Sequence, residues 1–213
     1  MSDATLKPFA ATGIQTQRAS VRQLDSSTVP AFRELLCTPP HGWCWCVAWE
    51  TPSWDGWAER PEEQNRELRE RLWSRGEYHG FVLYLDDVPA GWLRVGPRAA
   101  FPKVCSTYHL EPRSDVYSFL CFGMRGGYEC RGLVHTLMNN ALRYLARDSA
   151  ISAFEGFPLA SAERTEPGKA WLGPSAVFAA QGFEPVGSLA EGSRIHMWLE
   201  SERWVDQPAT GSV

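Results

Sequence analysis

The sequence has no apolar run approaching the length of a membrane span, no internal repeat and no excess of basic residues. A net charge of −4 with 22% charged residues leaves no electrostatic footprint for nucleic acid. Residues 1–15 lack the apolar core of a signal peptide and read as a loose polar arm. A soluble cytoplasmic domain without a nucleic-acid or membrane partner is the expectation. Six cysteines, at 37, 44, 46, 105, 121 and 130, show none of the regular pairing of a small secreted scaffold, so reduced thiols are expected. Cys37, His41, Cys44 and Cys46 place four zinc-ligating side chains close together. Structural zinc usually joins two ligand pairs from separate segments, so buried thiols are expected here and no metal.

With 213 residues the chain is long enough to bury a full core, and it reads as one domain. Its organising stretch is 116–147. VYSFLCFGM is a buried strand by composition, and LVHTLMNNALRYLAR puts Leu133, Leu137, Ala141 and Leu145 on one helical face. Between them RGGYECRG forms a basic, glycine-containing turn. A strand entering a helix through such a turn leaves the first helical amides unpaired at the positive end of the dipole, which is a phosphate site. Gly126, Gly127 and Gly132 supply backbone freedom and Arg125 and Arg131 supply charge, so a pyrophosphate is the natural guest.

The other elements follow in order. Ser20 to Leu24 reads as a short edge strand, then Pro30 opens a helix through Phe32, Leu35 and Leu36. HGWCWCVAWETPSWDGW holds five of the ten tryptophans. These indoles either pack over the core or line a pocket for a flat or cationic substrate. PEEQNRELRERLWSRG is a helix with Leu68 and Leu72 inside and a charged, solvated outer face. YHGFVLYLDD and VPAGWLRVGPR form a hairpin turning at Asp86 and Asp87, and 97–114 is a proline-rich loop. After the central helix come a strand in AISAFEGFPL, a polar connection, a helix in PSAVFAAQG and a closing hairpin of GFEPVGS and RIHMWLE.

The turn resembles the acyl-CoA loop of the GNAT N-acyltransferases, Arg/Gln-x-x-Gly-x-Gly/Ala, across Glu129, Cys130, Arg131, Gly132, Leu133 and Val134. Gly132 stands where the pattern has glycine, whereas Glu129 and Val134 depart from it. CWC, GWLRVGPRAAFPK and GFEPVG mark similarity to a poorly characterised bacterial branch of that superfamily. The resemblance spans residues 19–200, leaving an arm at 1–18 and a tail at 201–213. It implies one α/β (α+β) domain with a central, mixed, mostly antiparallel sheet, splayed beside residues 121–124 and flanked by helices.

The same resemblance implies a donor, acetyl-CoA or another acyl-CoA, and a small-molecule amine as acceptor. It leaves an acyl carrier protein as donor and a homodimer open. Cys121, Phe122, Gly123 and Met124 would offer their backbone to pantetheine, and residues 129–134 would hold the phosphates. The family's acid, a tyrosine five residues before the Phe of the Gly-Phe pair, falls on Phe178, which has no proton to give. Its strand glutamate falls on Ser118. Ser118 stays a catalytic candidate though no strong base, Glu155 is the first candidate base, and His109, Glu111 and Tyr117 are the others. Two functions stay open: acyl transfer to an amine, or a GNAT-shaped protein that binds acyl-CoA or a small ligand, or runs other chemistry, without acetylating. Glu129 bears on the choice, because a carboxylate beside a pyrophosphate is repulsive.

Overall fold

A computed structural model describes residues 17–37, 42–128, 132–160 and 171–204. Among them are seven strands, β1 (Ala19–Gln23), β2 (Gly80–Leu85), β3 (Val88–Pro97), β4 (Val116–Met124), β5 (Ala153–Gly156), β6 (Glu184–Leu189) and β7 (Arg194–Glu200). They form one sheet in the order β1-β2-β3-β4-β5-β7-β6. Every neighbouring pair is antiparallel except β4 and β5. The β2–β3 hairpin turns where expected: Asp86 and Asp87 have φ of 47° and 67°, the left-handed pair whose twist suits a two-residue hairpin.

Among the described residues five helices flank the sheet: α1 (Val29–Leu36), α2 (Glu62–Ser74), α3 (Pro102–Tyr108), α4 (Leu133–Leu145) and α5 (Ser175–Ala180). Leu133, Leu137, Ala141 and Leu145 of α4, with Val177 and Phe178 of α5, join Leu93, Phe119 and Phe122 in one apolar cluster. Phe32 and Leu36 of α1 and Val104 and Tyr108 of α3 join Trp49, Trp92, Leu120 and Phe157 in a second. Alternation along β4 explains the division, since Phe119 and Leu120 leave the strand in opposite directions.

Two sequence expectations need correction. The stretch 97–114 is no plain loop, because it holds a 3-10 turn at Arg98–Ala100 and then α3. Pro102 marks a break in the sequence but lies in the first helical turn, where a missing N–H costs nothing. The glycine turn therefore precedes the fourth helix rather than the third. The charged face of α2 is also not wholly solvated, for Asn65 and Arg69 are fully buried. The Arg69 guanidinium lies 5.3 Å from the Phe32 ring centroid and 5.8 Å from that of Tyr78.

β5 pairs with β4 over four positions only, from Val116 opposite Ala153 to Phe119 opposite Gly156. Beyond them β4 runs on to Met124 while β5 has ended, so the sheet parts beside residues 120–124. The Phe178 ring lies against Gly156, and a Cβ added there would fall inside it. Gly156→Ala should destabilise the fold by about 1–3 kcal/mol through overpacking, read as a lower urea midpoint with an unchanged slope. An unaltered midpoint would show that Phe178 can yield.

Candidate active site

A parallel pair needs a crossover, and here the crossover is α4, whose Leu133 shares an apolar cluster with Met124 at the carboxyl end of β4. Gly132 is its N-cap at φ 68°, with no side-chain cap and no acidic residue in the first turn. Among the described residues no group accepts from the amides of Leu133 and Val134. A Cβ would meet nothing within 4 Å at Gly127 or Gly132, so there is open space at these two positions. Val134 packs against the first apolar cluster, which carries its bulk into the core. Arg125 is tied elsewhere, 2.8 Å from Glu34 and hydrogen-bonded to the Pro89 carbonyl. Glu129, Cys130 and Arg131 lie outside the described residues.

The gap between the strands is filled by the chain itself. The Phe122 N–H donates to the Trp171 carbonyl at 2.7 Å. The Trp171 indole stacks on Trp49 at 5.4 Å and 25°, and Leu172 is buried behind it. A run of rings continues from Trp49 to Tyr108 at 5.9 Å, Tyr108 to Phe157 at 4.7 Å, and Phe157 to His196 at 5.4 Å. The backbone that would serve a pantetheine as a partial strand thus already has an acceptor at Phe122. Phe178, at the position of the family's acid, packs edge-on to Phe122 and Phe183.

Glu155 and Ser118 meet where the strands are still paired. Ser118 Oγ donates to Glu155 Oε1 at 2.5 Å, and both side chains are fully buried. Arg98, from the turn after β3, grips the carboxylate with Nε on Oε1 at 2.8 Å and Nη2 on Oε2 at 2.5 Å. His196 Nε2 reaches Oε2 at 2.9 Å from β7. Burial works to raise the Glu155 pKa, but hydrogen bonds from His196, Arg98 and Ser118 hold it below the ordinary carboxylate value. A carboxylate so placed is a poor direct base for a diffusing amine. His109 takes no part: it is exposed, at φ 53°, at the end of α3. The Glu111 side chain is exposed and only its carbonyl meets Arg98, while Tyr117 packs against the first cluster on the other face.

The tryptophan segment, the 97–114 stretch and Glu155 do converge on this side of the sheet. Trp54 Nε1 bonds Thr107 at 3.1 Å, and Arg98 joins the stretch to Glu155. Two of the indoles, however, face a cation the chain supplies. Lys103 Nζ lies 3.9 Å from the Trp54 ring centroid and 4.3 Å from that of Trp57, fully buried and without a hydrogen-bond partner among the described residues. Beside it Arg94 and Glu50 form a buried pair at 2.6 Å, with the guanidinium 4.0 Å from the Tyr78 ring centroid. Among the described residues no group of three or more His, Cys, Asp or Glu could hold a metal; His41 lies outside them.

Sequence reasoning missed Arg98, Lys103, Trp171 and His196. His196 alone left a signal, since alternation in RIHMWLE puts Arg194, His196 and Trp198 on one face of the strand.

No family model matches the sequence, and no curated protein matches it. Solved structures match in shape. An aminoglycoside acetyltransferase, AAC(6')-Ib, in complex with coenzyme A superposes with a TM-score of 0.55 at 15% identity, over 87% of this chain and 96% of that one. A chimera of the spermidine N-acetyltransferase SpeG from Vibrio cholerae and hSSAT gives 0.54 at 13%, over 89% and 99%. A protein from Desulfovibrio desulfuricans described as an acetyltransferase of the GNAT family gives 0.53 at 14%, over 86% and 99%. The chain has the GNAT fold, a single mixed α/β domain with a seven-stranded sheet flanked by helices.

Removing one half of the Arg98–Glu155 pair strands a buried charge, so Glu155→Ala should cost about 3–5 kcal/mol, whereas joint Arg98→Met and Glu155→Leu should recover most of it. Chemical denaturation of wild type and the two variants decides, and a double variant no more stable than Glu155→Ala would contradict the tie. Because the folded Glu155 pKa is lowered, its contribution is present above the unfolded carboxylate range and disappears as pH falls through the folded value.

Lys103 acts in the alkaline range. Burial pulls its ammonium down to about 8, against about 10.4 for an unfolded lysine. Between these values the unfolded chain binds more protons, so this residue makes stability rise with pH. Burial pushes the Cys44 thiol up to about 11 and acts with the opposite sign over the same range. The readout is therefore a difference: wild type should gain stability relative to Lys103→Met from about pH 8 to about pH 10. A constant difference would mean that Lys103 is solvated.

Proposed function

We propose that the protein is an N-acyltransferase that moves an acetyl or longer acyl group from acyl-CoA, or from a carrier-protein pantetheine thioester, to an amine of a small molecule. The observation that carries this reading is the uncapped amino end of α4 beside the carboxyl end of β4, where β4 and β5 part. Amides of Leu133 and Val134, with Arg131 and Gly132 of the loop, would hold phosphate, and backbone at Cys121–Met124 would take the pantetheine arm. A bound thioester supplies an activated acyl carbon. The chain's own share is placement: the ring-lined side of the sheet excludes water, and transfer to an amine then needs a neutral nucleophile and an outlet for one proton. Donor and acceptor classes accord with the coenzyme A and the aminoglycoside activity named for one structural neighbour.

A second reading has its own support. The Trp171 carbonyl already occupies the Phe122 N–H, and Phe178 offers no acid, as in a GNAT-shaped protein that binds a small ligand without acetylating. Calorimetry with acetyl-CoA, followed by thiol release over a panel of small amines, separates the two. Donor binding is expected to be lost on Gly132→Trp, because the new side chain crowds the amides. It should also raise hydrogen exchange at the Phe122 amide relative to the free protein unless the donor replaces the Trp171 carbonyl, in which case protection persists while Trp171 and Leu172 become exposed. Binding that leaves Phe122, Trp171 and Leu172 all unchanged would place the donor elsewhere.

A further inference from the structure

The Glu155 carboxylate has three partners, and they differ in their access to solvent. The side chains of Glu155 and Ser118 are sealed, and that of Arg98 is 6% exposed. His196 is the open member, with 12% of its side chain exposed. Its Nε2 faces Glu155, so the ring's Nδ1 is left without a hydrogen-bond partner among the described residues. The ring is clamped between elements: its face lies on Phe157 at 25°, and Trp198 meets it edge-on at 5.9 Å. Phe157 is the residue at which β5 leaves β4, so His196 stands at the parting of the strands, on the side of the tryptophan segment. The groups around it are Glu155, the Arg98 that pairs with it, and Tyr108 against Phe157, with Arg194 bonding the Phe157 carbonyl.

A carboxylate that accepts from one imidazole nitrogen fixes the tautomer with that nitrogen protonated and leaves the other as a base. The Arg98 pair keeps Glu155 ionised, and Ser118 takes up a further lone pair, so the carboxylate orients the ring without taking its proton.

We propose that His196 is the proton acceptor of the acyl transfer, through Nδ1, and that Glu155, Ser118 and Arg98 are positioning residues that act through it. This rests on the acyltransferase reading. As the amine nitrogen bonds to the thioester carbon and the carbon–sulfur bond breaks, one proton leaves the nitrogen for Nδ1. The departing thiolate is protonated by water, and His196 returns its proton to the resulting hydroxide. No other oxidant, reductant or co-reactant is needed.

The test begins without turnover. Nitrogen-15 NMR of the free protein should show neutral His196 as the Nε2–H tautomer, and Glu155→Leu with Arg98→Met should remove that preference. Kinetics with acetyl-CoA and an amine follow. His196→Gln can still donate to Glu155, and it should lower kcat by about 10²-fold or more, the scale of one general base, with donor KM changed less than about twofold. Added imidazole should restore part of the rate to His196→Ala, which a purely structural role would not allow. An Nδ1–H tautomer, a folded His196→Gln within about threefold of wild-type kcat, or no rescue by imidazole overturns the proposal. Wild type that releases no thiol from acyl-CoA or from a carrier-protein pantetheine thioester with the amine panel overturns the acyltransferase reading and this one together; failure of the variants alone overturns only this one.

Discussion

Everything at the site depends on a parallel pairing only four residues long. Parallel strands demand a crossover, and the crossover that joins β4 to β5 is an amphipathic helix whose buried side crosses the sheet. That connection fixes where α4 begins, and with it the position of first-turn amides that have no partner among the described residues. Had β5 continued alongside β4 to Met124, the same helix would stand over a closed sheet with no gap to serve. Gly156 at the last pairing position admits the Phe178 ring against the backbone, so the parting is also a packing event.

The layer on the opposite face is assembled differently. Its apolar cluster contains several aromatic rings but is threaded by cations: Arg69 over Phe32 and Tyr78, Arg94 between Tyr78 and Phe101, Lys103 between Trp54 and Trp57. Each charge is desolvated, and ring faces and carboxylates compensate in part. Glu50 ties the tryptophan segment to β3 through Arg94, and Glu155 ties the turn after β3 to β5 through Arg98. Buried ion pairs are a weak source of net stability, but a single misplaced partner is heavily penalised. They hold this layer in one register over the sheet, as the proposed transfer to an amine would require.

The Phe122–Trp171 hydrogen bond lies at the strand end proposed to take the donor. A strand end with free N–H groups in an apolar surrounding is costly, and the chain satisfies one with its own carbonyl. A ligand taking that N–H exchanges one hydrogen bond for another, and the net gain comes from the remainder of its contacts.

Much of the fold was legible in the sequence because it rests on local rules. Composition located β4 and a period of 3.6 located α4, the Asp86–Asp87 pair located a hairpin, and glycine between strand and helix located the turn into α4. Pro102 misled because the same residue that breaks a helix also starts one. Ser118 and Glu155 were reachable as polar residues on buried strands. Their meeting was not, because it needs the β4–β5 register, and the partners Arg98 and His196 come from 57 and 41 residues away in the chain. The tryptophans show the division most plainly. Composition gathered five of them in one segment and left open whether they pack over the core or line a pocket; in the fold Trp45 and Trp49 are buried while Trp43 and Trp54 keep an exposed side. Only the tertiary structure decided that Lys103 faces two of them and that Trp171 enters the gap in the sheet, because long-range pairing leaves no periodic trace in the sequence.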